Sequence, residues 1–225
     1  MRTLVLLTVV CIALPFASAA EEPKATPEPK LLMTERGKVI FEDPLTKPFD
    51  SRWKAGKGKW EIVDGVMKGV EVKDDMHGAV VRTNVPFTNA IIRYDFKLDG
   101  AKQTSLSIND SKGHVCRVLI RADALIVQKD DSDGKTGPDK AVQLHLLKAK
   151  IDTGWHTVQI ELCGKELLAS LDGKEVAFGE HETLDRPKTN IGLTVAGESV
   201  YFRNLKVWEA TPSKDWEKAK SDLKK

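Results

Sequence analysis

The sequence predicts an all-β antiparallel sandwich of the jelly-roll type, on three observations. Segments of six to nine residues alternate polar and apolar with period two: 90–98 (Ala-Ile-Ile-Arg-Tyr-Asp-Phe-Lys-Leu), 157–162 and 200–208. That period marks strands with one buried face. Short turn signals, Asp64-Gly65 and Asp172-Gly173 among them, separate the segments at hairpin spacing. No helical period runs between the strands, so crossover helices and a parallel βαβ sheet are excluded.

The elements follow in order. The folded domain is expected from 37 to 209, opening at Val39-Ile40-Phe41 and ending near Trp208-Glu209. About 170 residues suffice for one full core. Trp60-Glu61-Ile62-Val63 and 66–70 make a hairpin across Asp64-Gly65. A short strand at 79–82 precedes the clearest one, 90–98, where Ile92, Tyr94, Phe96 and Leu98 share one face and Arg93, Asp95 and Lys97 the other. Strands at 105–109, 115–121, 125–129 and 141–147 continue the series. The last third supplies 157–162, 167–171 and 200–208. In the tail (210–225), Thr211-Pro212 reads as an N-cap with Pro in the first turn. Acidic residues lie early there and lysines late, which suits a short helix.

The first twenty residues read as a signal peptide: Arg2, an apolar run from Leu4 to Phe16, and the small-residue cleavage site Ala17-Ser18-Ala19. The run is short for a bilayer, so the mature chain is expected to be secreted or periplasmic and not membrane-spanning. Residues 21–36, rich in Pro, Glu and Lys, read as a disordered leader. Lys and Arg total 35 against 33 Asp and Glu, a net charge of +2, and losing Arg2 with the signal leaves +1. So even a balance gives no support for nucleic-acid binding. The mature chain keeps Cys116 and Cys163, which either pair in an oxidising compartment or remain buried thiols.

The turn and strand motifs carry a resemblance. Residues 60–69 (W-E-I-V-D-G-V-M-K-G) resemble the early W-x-V-x-D-G-x-L-x-G of the bacterial 3-keto-disaccharide hydrolase family, and 93–97 fit its central strand. Trp155 through Leu171-Asp172-Gly173 resembles its W…L-N-G, with Asp172 for the usual Asn. Ile191-Gly192-Leu193, Gly197 and 200–205 (V-Y-F-R-N-L) resemble its closing I-G-L…G…V-x-F-R-N-I. The resemblance runs from Phe41 to Trp208. It implies a concanavalin A-like jelly roll, shared with laminin-G-type domains and laminarinase-type glucanases, and a carbohydrate or glycoside ligand. The family's N-S-G-[IV]-x-x-R segment is missing: Thr104 to Asp110 stand in its place.

Glucanases of this fold use E-x-D-x-x-E on one strand, which sets alternate carboxylates on one face. The chain has no such motif, which favours binding over two-carboxylate hydrolysis. The candidate site is a composite polar face: Arg93 and Asp95 with Lys97 on one strand, Ser107 and Asn109 with Ser105 on the next, then Arg117 and Arg121, then His145 with Gln143. On a single sheet these would offer a sugar an array of donors and acceptors. Otherwise they are ordinary solvated outer faces. Trp53 is a candidate stacking platform or a packed rim residue, and His114 and His156 read as edge histidines. Asn109-Asp110-Ser111 matches a glycosylation sequon. No cofactor is expected. Asp130-Asp131-Ser132-Asp133-Gly134 hints at a structural calcium but lacks the EF-hand spacing, and Asp74-Asp75-Met76-His77 is a second loop of that kind. The reading is an exported carbohydrate-related protein that binds a glycoside, with hydrolysis of it as the activity the resemblance implies. The alternative is a non-catalytic laminin-G-like binding or structural envelope module.

Overall fold

The computed structural model describes residues 28–134 and 136–223. The expected signal peptide and the leader as far as residue 27 lie outside these residues. Thirteen strands are described: β1 (Thr34–Asp43), β2 (Trp53–Lys57), β3 (Lys59–Val63), β4 (Val66–Val70), β5 (Ala79–Phe87), β6 (Ala90–Asn109), β7 (His114–Arg121), β8 (Ala124–Lys129), β9 (Val142–Lys148), β10 (His156–Cys163), β11 (Glu166–Leu171), β12 (Glu175–Glu180) and β13 (Lys188–Pro212). One α-helix, α1 (Trp216–Leu223), follows β13 among the described residues. Every strand pairing is antiparallel, and the architecture is the predicted sandwich. Both Asp-Gly turns have positive φ at each residue, 51° and 76° at Asp64-Gly65, 52° and 68° at Asp172-Gly173, the geometry that suits the twist of a two-residue hairpin.

Two strands are far longer than their sequence periods suggest. β6 and β13 pair with each other along almost their whole lengths, and the ladder shifts register around Ala196 to Val200. Each strand passes there from one sheet to the other. The first sheet holds β12-β11-β10, residues 90–98 of β6 and 200–212 of β13, then β1, β4 and β3. The second holds β9-β8-β7, residues 104–109 of β6 and 190–195 of β13, then β5 and β2. Between them lies one core of Ile92, Tyr94, Phe96, Leu106, Ile108, Val118, Val158, Ile160, Phe202 and Val207. Trp53, considered as a platform, is 6% exposed and stacks on Phe49 inside this core.

Tyr94 carries a fault of that core. Its hydroxyl is buried without a hydrogen-bond partner, and burial pushes its pKa well up. An orphaned buried hydroxyl forfeits its hydration for nothing. Tyr94→Phe is expected to raise stability by about 1 kcal/mol, read as the urea midpoint. A loss of similar size would mean that the hydroxyl is in fact solvated.

The two chain ends depart from expectation on the first sheet. Residues 28–36 are a docked strap in place of the expected disordered leader. Glu161, 0% exposed on the outer side of β10, accepts hydrogen bonds from Leu32 N (3.1 Å), Met33 N (2.8 Å), Thr34 N (2.8 Å) and Thr34 Oγ1 (2.8 Å). Thr211-Pro212 does not cap a helix: both residues end β13, paired with Glu35 and Thr34. Helix α1 starts at Trp216, after Ser213 Oγ accepts the Asp215 N–H (3.3 Å). Trp216 anchors it, packed against Phe178 and donating to Glu166 (2.8 Å).

Cys116 lies in the core on β7, whereas Cys163 packs with Met33 and Trp216 outside the first sheet. The disulfide reading is therefore corrected: both are free thiols. Burial pushes the Cys116 thiol up to about 12.

His156, read as an edge histidine, clamps the β10–β11 hairpin. Its Nδ1 lies 2.7 Å from Asp172 Oδ2, and Asp172 Oδ1 accepts the Thr157 N–H (2.8 Å). The hydrogen bond to Asp172 raises the His156 pKa above 6.5. Burial pushes Asp172 up, but its bonds to His156 and Thr157 outweigh that and leave it below 3.8. His156 therefore stabilises the fold fully below 6.5 and loses that contribution as pH rises through its raised value. Asp172 contributes above 3.8 and loses its share as pH falls through its depressed value. Wild-type stability is expected to decline from pH 6.5 upward more steeply than that of His156→Gln, measured by urea denaturation. Parallel profiles would contradict the clamp.

Candidate functional site

Because β6 changes sheets, the composite face predicted from sequence is divided between the two sides of the sandwich. Arg93 and Asp95 stand on the outer side of the first sheet. Ser107, Asn109, Arg117 and Arg121 stand on the outer side of the second. His145 joins neither set: its Nδ1 accepts the Phe178 N–H (3.2 Å) at the seam where β9 meets β12.

On the first sheet the polar groups are already committed to one another. Asp95 accepts from Thr157 Oγ1 (2.8 Å), Arg203 Nε (3.1 Å) and Asn204 Nδ2 (2.7 Å), so Arg203 and Asn204 of the closing motif tie β13 to β6. Arg93 pairs with Glu28 of the strap, and Lys206 with Glu42 (3.0 Å). A cleft of about 610 Å³ opens among these groups, lined by ion pairs that a ligand would have to break.

On the second sheet the register assembles three rows across the strands. One row reads Lys54 (β2), Arg82 (β5), Gly192 (β13), Ser107 (β6), Arg117 (β7) and Gln128 (β8). On one side of it stand Asn84, Asn190, Asn109 and His114. On the other stand Thr194, Ser105, Leu119, Ile126 and Leu146, which turn apolar toward β9. Gly192 is needed in the middle row, because a Cβ there would come within 2.8 Å of Ser107 Oγ and 3.1 Å of Arg82 Cγ. Arg121 lies further along β7, with its Nε buried and unpartnered and its nearest carboxylate, Asp123, at 3.9 Å.

Directed hydrogen bonds organise the polar end of these rows. Asp130, 2% exposed, accepts from Arg117 Nε (2.8 Å) and Gln128 Nε2 (2.8 Å). That fixes the guanidinium over the sheet and leaves its terminal nitrogens outside the pair. Asn190 Nδ2 donates to Thr189 Oγ1 (3.0 Å), and Asn109 Nδ2 donates to Asn190 Oδ1 (2.8 Å). His114 Nδ1 lies 2.6 Å from Asn109 Oδ1. Burial, helped by the nearby Arg117 and Arg82, lowers the His114 pKa despite Asp130 and Asp131, which keeps the imidazole neutral at neutral pH. Asn109 is 4% exposed, so its sequon offers no free amide. None of the three rows contains Asp or Glu, so the carboxylate pair of a glucanase has no counterpart on them.

The loop after Asp130 brings carboxylate oxygens of Asp131, Asp133 and Asp139 within 4.8 Å of one another. Internal bonds occupy them: Asp139 pairs with Lys129 and accepts from Ser132 N (3.0 Å), and Asp131 accepts from Gly134 N (2.7 Å). Hydrogen bonds from Lys129 and Ser132 hold the Asp139 carboxyl far below the usual range. In the other acidic loop, Asp75 accepts the Gly58 N–H (2.6 Å), a structural tie.

Of the residues grouped from sequence, Ser107, Asn109 and Arg117 lie on neighbouring strands of the second sheet. Sequence reasoning missed Arg82, Gln128, Asp130 and Asn190 and placed His114 at an edge. Their signal was present only as polar residues at alternate strand positions, with nothing to say which strands would be neighbours.

The sequence profile of the 3-keto-alpha-glucoside-1,2-lyase-like domain matches residues 45–208. No match is found among curated protein sequences. Among solved structures, porphyranase B from Zobellia galactanivorans superposes with a TM-score of 0.61 at 11% identity, over 84% of this chain and 98% of that one. The carbohydrate-binding module CBM66 from Bacillus subtilis gives 0.58 at 15% identity, over 70% and 96%. A Crh5 transglycosylase in complex with NAG gives 0.58 at 12% identity, over 80% and 88%. These likenesses establish the jelly-roll sandwich. No helix among the described residues is long and apolar enough to cross a membrane.

Proposed function

The chain belongs to the 3-keto-alpha-glucoside-1,2-lyase-like domain family, and from that premise we propose that it binds a glycoside on the outer face of its second sheet. One observation carries the reading. Two buried side chains orient two half-exposed ones: Asp130 holds Arg117, and Asn109 holds His114, with the apolar row of Leu119, Ile126 and Leu146 on the far side of Arg117. A sugar ring presents hydroxyls around its edge, and the oriented Arg117 and His114 offer partners to them. Preorganised donors lower the ordering cost of binding. On the first sheet, by contrast, the neutralised ion pairs leave little for a sugar hydroxyl to gain.

The absence of Asp and Glu from the rows argues against two-carboxylate hydrolysis. It favours either elimination chemistry, which the family's description names, or binding alone. The apolar run and the Ala17-Ser18-Ala19 site support export, which N-terminal sequencing of the protein recovered from its host would test.

Calorimetric titration with 3-keto-glucosides, with unoxidised glucosides as controls, tests the binding reading. Arg117→Ala is expected to weaken binding about tenfold or more, the worth of a hydrogen bond to a charged group, while Arg93→Ala leaves it unchanged. The reverse pattern would move the site to the first sheet. No binding of either sugar class would withdraw the proposal.

A further inference from the structure

Resting on the glycoside reading of the same face, we propose that His114 is the proton acceptor for a C–H bond beside the ketone of a 3-keto-glycoside, with Asn109 and Asn190 as its positioning residues. The argument is one of hydrogen-bond direction. Thr189 Oγ1 lies 3.5 Å from the Asn109 backbone carbonyl, a long contact to which its hydroxyl can donate. Thr189 Oγ1 then accepts from Asn190 Nδ2 (3.0 Å), which turns Asn190 Oδ1 toward Asn109. Asn109 Nδ2 donates to that oxygen (2.8 Å), so Asn109 presents Oδ1 to His114. A carbonyl oxygen takes only a donor, so Nδ1 of the neutral ring carries the hydrogen and Nε2 carries the lone pair.

Nε2 makes no hydrogen bond among the described residues, and it is not among the polar atoms sealed from solvent without a partner. It is therefore a neutral, oriented and accessible acceptor. Arg82 and Arg117 are its cationic neighbours, and Asp130, already tied to Arg117, and Asp131 its acidic ones. Guanidiniums beside such a base suit the negative charge that grows on a ketone oxygen as the adjacent carbon loses its proton.

The step balances without an outside reagent. Nε2 takes the proton from C2, and the C2–H pair forms the C2–C3 double bond as the C3 carbonyl pair moves to oxygen. The enolate pair returns to restore the carbonyl and form C1=C2, and the C1–O bond breaks with its pair on the leaving oxygen. That oxygen takes the proton back from Nε2.

Two measurements on the full mature chain test this. Long-range ¹H–¹⁵N correlation spectra should show His114 as the Nδ1–H tautomer near neutral pH, and Asn190→Ala should mix the tautomers. A wild-type Nε2–H tautomer overturns the proposal whatever the activity. In turnover of 3-keto-glucosides, His114→Gln is expected to lower kcat about 10²-fold or more, in the range for loss of a general base, with the calorimetric Kd within about threefold of wild type. Unchanged kcat in folded His114→Gln overturns it. Binding without any wild-type turnover overturns the base assignment and leaves the glycoside reading standing. Absence of both binding and turnover overturns the reading itself.

Discussion

Glu161→Ala is expected to destabilise the protein by about 3–5 kcal/mol, the range for stranding buried partners of a charged group. Glu161 is fully enclosed on the outer side of β10 and accepts three backbone N–H groups and one hydroxyl from residues 32–34. Removing the carboxylate leaves those donors facing a cavity that β1 and Met33 help to seal. For a domain of this size each kcal/mol moves Tm by about 2–4 °C, so a fall of about 10 °C is expected in a thermal melt. Amide exchange at residues 32–34 should accelerate far more than exchange in β6, because the strap is released locally while the core strands persist. A melt within about 2 °C of wild type, with those amides still protected, would show that the strap is held by something other than Glu161. Glu161→Gln should fall between, since its amide keeps one acceptor and turns a donor toward donors.

Gly58→Ala is expected to be comparably damaging for a different reason. Gly58 turns the chain from β2 into β3 with φ +74°, and an added Cβ would meet the Ala79 Cβ, lie 2.6 Å from Val70 O and 2.7 Å from Ala79 Cα. Two of the three obstacles are backbone atoms at the starts or ends of paired strands, so no side-chain rotation relieves them. Overpacking of this kind costs about 1–3 kcal/mol, and a non-glycine residue in the left-handed region adds about 1–3 kcal/mol. The expected sum, about 2–6 kcal/mol, would be read from the urea midpoint. Gly65→Ala serves as the control: φ is +76° there too, but nothing lies within 4 Å of the added Cβ. Equal losses at the two positions would assign the effect to backbone conformation alone and remove the steric argument.

The outer face of the second sheet sets the limit on what was legible in the chain. Its individual strands were readable, because alternation such as Ile92, Tyr94, Phe96 and Leu98 against Arg93, Asp95 and Lys97 records which side chains meet the core. Arg93 and Ser107 therefore both read as outward, and both are. Alternation does not record which sheet a residue faces out from. β6 keeps its in-out pattern on both sides of the sheet change, so nothing local distinguishes one strand that bends between sheets from two strands in one sheet. That is why Arg93 and Asp95 were grouped with Asn109 and Arg117.

The antiparallel sandwich, the two Asp-Gly hairpins and the family motifs were legible in the chain alone, since each depends on contacts between near neighbours or on one residue's conformational range. Alternation also separated inward from outward positions on most strands. Three arrangements rest on long-range contacts instead: residues 32–34 dock on Glu161, Cys116 and Cys163 stay apart, and His114, Asn109 and Asn190 form one directed chain. Asn109 and Asn190 stand 81 residues apart in the chain and directly opposite one another in the ladder. Register between distant strands is the sum of every pairing that separates them, and no short motif encodes it.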